Sequence, residues 1–185
     1  MLKSRTTKPL EKQIKKADRQ LQQEMDKQLD LIFCSCILAL YRSYGWKKTR
    51  ISRMFDRTEE AWNEVGADNS ISMVQKLDEE VGIELVNEDN KSYKTYKYLN
   101  ASIDDGSPLD GFQWLYMRQN QKKWVKAQIT ATICIAMHRK EGFGYERLCK
   151  LLDEMEDIKM DYNYNPKALV QQVLEEADYH WHGYE

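Results

Sequence analysis

The stretch "ICIAMHRKEGFGYERLCKLLDE", Ile133 to Glu154, decides how this chain is read. Its first residues are apolar at helical spacing, the mark of one buried face. Two glycines around a phenylalanine then break the pattern, which resumes at Leu148, Leu151, Leu152 and Met155. A second stretch, "ILALYRSYGWKKTRISRMFDRT" from Ile37 to Thr58, has the same rhythm.

At an offset of 97, Ala39–Thr58 and Ala136–Met155 share Ala39/Ala136, Arg42/Arg139, Gly45/Gly142, Arg50/Arg147 and Asp56/Asp153. Trp46/Phe143, Ile51/Leu148, Met54/Leu151 and Phe55/Leu152 exchange like for like. With ordinary residue usage, about one identity is expected by chance in so short a window. The sequence therefore predicts an internal duplication, a pair rather than a solenoid.

Each copy reads as three helices, near 8–43, 47–66 and 70–84 in the first and 112–141, 144–160 and 165–180 in the second. The expected fold class is all-α. Two related three-helix units, 1–86 with a basic N-terminal segment and 112–185, are joined by a linker at 87–111, where turn formers replace any period. Ser70 and Asn165 suit N-caps, and Pro166 suits a first helical position. Phe33, Leu40, Phe55, Ile133, Met137 and Leu152 are expected in the core. The second apolar stripe of the first copy should end near Trp62 and Val65.

Composition agrees with a helical reading. The 185 residues hold 42% apolar and 31% charged side chains but only three prolines and eight glycines, which leaves little room for a many-stranded sheet. The longest apolar run, "LIFCSCILAL" (Leu31 to Leu40), is too short to cross a bilayer, and no secretory leader is visible. Cys34, Cys36, Cys134 and Cys149 follow no disulfide or zinc spacing. Buried thiols in a cytoplasmic protein are the expectation.

The net charge of −2 hides alternating blocks: +8 over residues 1–57, −9 over 58–111, +6 over 112–150 and −7 over 151–185. Acidic faces such as Asp78, Glu79, Glu80 and Glu84 and basic faces elsewhere both suit charged partners.

Gly-Phe-Gly is not a phosphate loop on this reading. Such a loop needs a strand before it, and the first copy has Lys47 where the second has Gly144. Gly45 and Gly142, with Phe143 and Gly144, instead read as a structural corner. The glycine ends one helix in a left-handed cap, and the next aromatic plugs the gap between helices.

A glycine turn followed by "KKTRISR" also suits a helix-turn-helix that touches nucleic acid. The candidate binding residues are Trp46, Lys47, Lys48, Arg50 and Arg53, with Arg147 and Lys150 in the second copy and Lys122, Lys123 and Lys126 on the helix before it. The plainer alternative for these residues is a solvated basic face. Trp114, Tyr116, Trp124 and Trp181 are candidate interface anchors.

Catalytic patterns are thin. The carboxylates of "DEMED" and "RTEE" have no histidine or metal motif beside them, and His138 reads as a half-buried ring. Asp178, His180 and His182 sit near the end of the sequence, a poor platform for a metal. Cys34 and Cys36 point to different sides of one helix. No cofactor, metal or enzymatic activity is expected.

"AMHRKEGFGYERLCKLLDE", Ala136 to Glu154, resembles a pattern of small proteins from phages and other mobile elements of Gram-positive bacteria. In that pattern a helix end of Ala-Leu-His type precedes Phe-Gly-Phe-Gly, two further residues and Arg-Leu. Here Met137 replaces the leucine, and Glu141-Gly142-Phe143-Gly144 forms the corner. The likeness covers some twenty residues and returns, degraded, in Leu40–Ile51. Some small proteins of such elements are anti-CRISPR inhibitors of type II effector nucleases. The resemblance thus implies a protein that binds a CRISPR effector nuclease with its guide RNA, and it brings no catalytic residue. A phage regulator that binds DNA or RNA directly is the second expectation. A homodimer with charge blocks paired in trans is the third.

Overall fold

The computed structural model describes the chain over residues 7–66, 73–85 and 111–181. Among the described residues the fold is all-helical, with six helices and no strand: α1 (Thr7–Tyr44), α2 (Lys48–Gly66), α3 (Met73–Val81), α4 (Gly111–Glu141), α5 (Tyr145–Asp161) and α6 (Pro166–Ala177). These elements follow the apolar periodicity closely. The expected linker, its tyrosines and the Ser70 cap lie outside the described residues. So do the side chains of Val65, Trp114, Tyr116, Lys122, Lys123, Trp124 and His182.

Two helices form the centre. Residues 31–40 of α1 are buried on every side, and so are residues 131–137 of α4. Burial all round explains why "LIFCSCILAL" is uniformly apolar, since a helix with no solvated face needs no polar stripe. No helix among the described residues is long and apolar enough to cross a membrane. Among the described residues, four of the five buried polar side chains bond within their own helix, while Gln128 Oε1 accepts from the Val74 amide of α3 at 3.3 Å. Ser35 Oγ donates to the Ile32 carbonyl at 3.0 Å, and Thr132 Oγ1 to the Gln128 carbonyl at 2.7 Å.

Packing does not follow chain order. α1 lies chiefly against α5 and α6, whereas α4 lies chiefly against α2 and α3. Each central helix is thus clothed by the two shorter helices of the other half. The three-helix groups are crossed rather than contiguous, because a short corner sends α2 away from α1 and onto α4.

The two corners match in detail. Gly45 and Gly142 have φ of 64° and 67°, the left-handed conformation that glycine adopts without a Cβ penalty. The Trp46 amide donates to the Leu40 carbonyl at 3.1 Å, and the Phe143 amide to the Met137 carbonyl at 3.2 Å. This bond, running six positions back along the chain, closes the helix end. Trp46 and Phe143 are buried plugs, as the corner reading requires of the aromatic. The next helices open alike, through Ile51 to Lys47 and Leu148 to Gly144, both at 3.1 Å.

The third helices match at an offset of 96. Met73 and Leu77 are buried, as are Leu169 and Val173. Gly82 and Asp178 then stop the two helices with positive φ.

Some core expectations need correction. Phe33, Leu40, Ile133 and Met137 are buried, but Phe55 and Leu152 are only partly so, packed on the rim of the core. Trp62 is 47% exposed, so Ala61 is the last buried position of α2 among its described side chains. Trp181 is not an exposed anchor. It stacks on Phe33 and Phe55, with centroids 4.9 and 5.4 Å away, while its Nε1 donates to Asp30 Oδ1 at 2.8 Å. Asn165 caps α6 as expected, its Oδ1 accepting from the Ala168 amide at 3.3 Å, with Pro166 first in the helix.

Candidate binding surface at the paired glycine corners

The two corners, distant in sequence, meet in space. Tyr44 and Phe143 stack with centroids 5.0 Å apart, and Trp46 meets the edge of Phe143 at 6.0 Å. Tyr44 Oη donates to the Arg147 carbonyl at 3.2 Å, so residue 44 of one corner reaches 147 of the other. The reciprocal pair exists: Arg50 reaches Glu141, with Nη2 2.7 Å from Oε2. Position 141 is the counterpart of 44, and 50 of 147. Such crossed reciprocity is what a two-fold contact between like surfaces produces.

The same reciprocity recurs on the flanks. Arg42 forks onto Glu176 at 2.7 and 2.9 Å, and its counterpart Arg139 forks onto Glu80 at 2.5 and 3.0 Å. Each pair ties a central helix to the third helix of the other half. The neighbouring arginine holds each of Glu80 and Glu176 below the usual carboxylate range through these hydrogen bonds. A carboxylate with a lowered folded-state pKa contributes stability above its ordinary value near 4.5, and that contribution is lost as pH falls through the folded value. The melting temperature should accordingly fall as pH drops below about 4.5. Glu80→Gln with Glu176→Gln should flatten that dependence, each pair contributing roughly 0.2–1 kcal/mol at neutral pH. A scan from pH 6 to 3 on both proteins checks this.

At this end of the bundle α2 and α5 begin from the two touching corners. Neither has a side-chain cap: Gly144 offers none, and Lys47 carries no acceptor. Each start therefore presents unsatisfied amides together with the positive end of a helix dipole.

Lys47, Lys48, Arg50, Arg53, Arg147 and Lys150 are all exposed here. Several rest on rings. Lys47 lies 4.7 Å from the Tyr41 centroid, Arg50 4.0 Å from Trp46, and Arg147 5.2 Å from Phe143. Lys150 faces Glu154 at 3.8 Å, and Arg57 joins Arg50 on Glu141, whose side chain is 8% exposed. Lys48 and Arg53 form no ion pair among the described residues.

The structure thus gathers six of the ten candidate binding residues, buries Trp46 beneath them and places Lys126 elsewhere. Trp46 is 3% exposed and acts as core, the floor beneath Arg50 rather than a contact. Lys126 lies fifteen residues before the end of α4, about 22 Å along the helix from the corner. There it is part of a different cluster, with Lys159 and Glu156, and burial followed by the charge of Lys159 lowers its pKa.

Sequence reading missed Glu141, Tyr44, Tyr41 and Arg57. Arg50 could not be paired with Glu141 from spacing, since ninety-one residues separate them.

The other polar candidates have structural roles. His138 Nδ1 is 2.8 Å from the Phe143 carbonyl oxygen and braces the corner from a half-buried position. Burial pushes the Cys36 thiol up to about 12 and raises Cys34 and Cys134 as well, so all three stay protonated and unreactive at neutral pH. No cluster of metal-ligating side chains occurs among the described residues. Glu154 Oε2 is buried without a hydrogen-bond partner among them, close enough to Tyr44 that, after burial, its charge helps raise the tyrosine hydroxyl.

Gly142→Val should cost about 1–2 kcal/mol, because a β-branched residue resists φ of 67°. A Cβ there meets nothing within 4 Å, so the loss expected comes from the backbone conformation and not from a Cβ clash. The variant should melt early and bind as well as the wild type below its transition, as paired melting and binding curves would report.

In comparisons with protein-family models, curated proteins and solved structures, nothing matches this chain.

Proposed function

We propose that this protein is a non-enzymatic, stoichiometric inhibitor encoded by a phage or other mobile element, an anti-CRISPR protein that acts on a type II effector nuclease loaded with guide RNA. One observation carries the binding part of the reading. Two helix starts that carry exposed cations, 97 residues apart in sequence, meet at one end of the bundle around an aromatic floor. Exposed cations on a rigid, self-complementary base suit the phosphate backbone of nucleic acid, which an effector complex holds in a positively charged channel. The partner is narrowed by the resemblance of residues 136–154 to mobile-element proteins.

The geometry that relates residues 39–58 to 136–155 also supports an origin by internal duplication. Matching caps, buried positions and cross-pairs are hard to account for in unrelated helices. A phage regulator that binds DNA directly would use the same cations and is the alternative.

The test is equilibrium binding. Guide-loaded nuclease should bind this protein more tightly than an unrelated protein of similar charge does. Changing Lys47, Lys48, Arg50 and Arg53 to glutamine should weaken binding and flatten its salt dependence, by roughly 0.9 of a log unit per true contact on duplex DNA. Binding to free DNA that equals binding to the loaded nuclease would favour the regulator. An unchanged slope would return the four residues to the solvated surface.

A further inference from the structure

The reciprocity of the two corners constrains the shape of what they hold. Arg50 and Arg147 are counterparts, as are Arg53 and Lys150, and all four are exposed. From Arg50 to Arg147 the ring contacts form a path of 4.0, 6.0 and 5.2 Å, so the two guanidinium carbons lie no more than roughly 15 Å apart. Grooves of about 6 and 12 Å separate the two phosphate backbones of B-form DNA, and the shallow groove of an RNA duplex also has a strand on each side. Two cation sets on either side of an approximate dyad therefore match two strands, one set per strand. A single strand has no dyad and would engage one set at a time. The exposed carboxylates Asp56 and Asp153, also counterparts, stand one helical turn beyond Arg53 and Lys150. They border the cationic zone along each helix, and exposed Glu146, whose counterpart is Thr49, lies within it on α5 alone.

We infer that the ligand of the paired corners is double-stranded nucleic acid, gripped through phosphates of both strands by the pairs Arg50/Arg147 and Arg53/Lys150. This rests on the proposed nucleic-acid contact and goes further, since that reading holds for a single strand as well.

The experiment measures binding of the whole protein to a 20-base-pair DNA duplex, the same duplex in RNA, and each constituent single strand, over a range of salt. A duplex should bind at least fivefold tighter than its own strands, and the tighter of the two duplexes identifies the sugar preferred. Arg53→Gln and Lys150→Gln, each checked by circular dichroism, should each lower the slope for the DNA duplex by about 0.9. Single strands that bind as tightly as the duplex overturn the inference and leave the nucleic-acid contact standing. A slope that responds to only one of the two substitutions also overturns it. Absence of binding to every oligonucleotide removes both the inference and the contact on which it rests.

Discussion

Replacing Trp46 with alanine should cost about 3–5 kcal/mol of folding stability, the range for removing a buried aromatic. Although it follows a surface glycine and precedes two lysines, Trp46 is 3% exposed. It meets Phe143 edge-on across the junction of the two corners and forms the floor under Arg50. Truncation would leave a cavity where two halves of the chain join, beneath the Arg50 side chain. Trp62→Ala, at a position 47% exposed, should change stability by no more than about 0.5 kcal/mol. Denaturant titrations of both variants give the comparison. A Trp46 variant as stable as wild type, yet deficient in binding, would make this side chain a surface contact after all.

Leu77→Ala should cost about 2–5 kcal/mol, and the damage should cross the sequence. Leu77 is fully buried on α3, whose main partner is α4 and not α1 of its own half. Hydrogen exchange on this variant should show early loss of protection in residues 128–137 of α4, while residues 31–40 of α1 stay protected longer. Val173→Ala on α6 should do the reverse, since α6 packs on α1. If Leu77→Ala instead loosened α1 first, the crossed packing would be wrong.

Much of the fold was legible because each helix carries its own period and stop. Gly45 and Gly142 end their helices with positive φ, and Asn165 with Pro166 begins α6, all as local chemistry dictates. Partnership between helices was not legible. The stripe on α1 shows that Leu31 to Leu40 must be covered, but an apolar face carries no record of which helix covers it. Only contacts such as Arg42 with Glu176 and Arg139 with Glu80 reveal the crossing, and these pair residues 134 and 59 positions apart.

The candidate surface was legible as a list of cations and not as a place. Lys47 to Arg53 stood out by charge, whereas their union with Arg147 and Lys150 follows from the meeting of the corners. Trp46 misled because tryptophan beside lysines suits an interface and a core plug equally. Here the left-handed turn at Gly45 points it inward. Trp181 misled similarly, since a ring near the end of the sequence looked free before Asp30 supplied a partner for its Nε1.

The most direct test of the functional account is a titration of DNA cleavage. A type II effector nuclease, loaded with guide RNA at a concentration well above the dissociation constant, is mixed with rising amounts of this protein before target DNA is added. Cleavage should fall in proportion to added protein and reach its floor near one equivalent, and the variant with Lys47, Lys48, Arg50 and Arg53 changed to glutamine should need more. Full cleavage at large excess across several such nucleases would contradict the account. Inhibition complete far below one equivalent would contradict it as well, because that requires turnover.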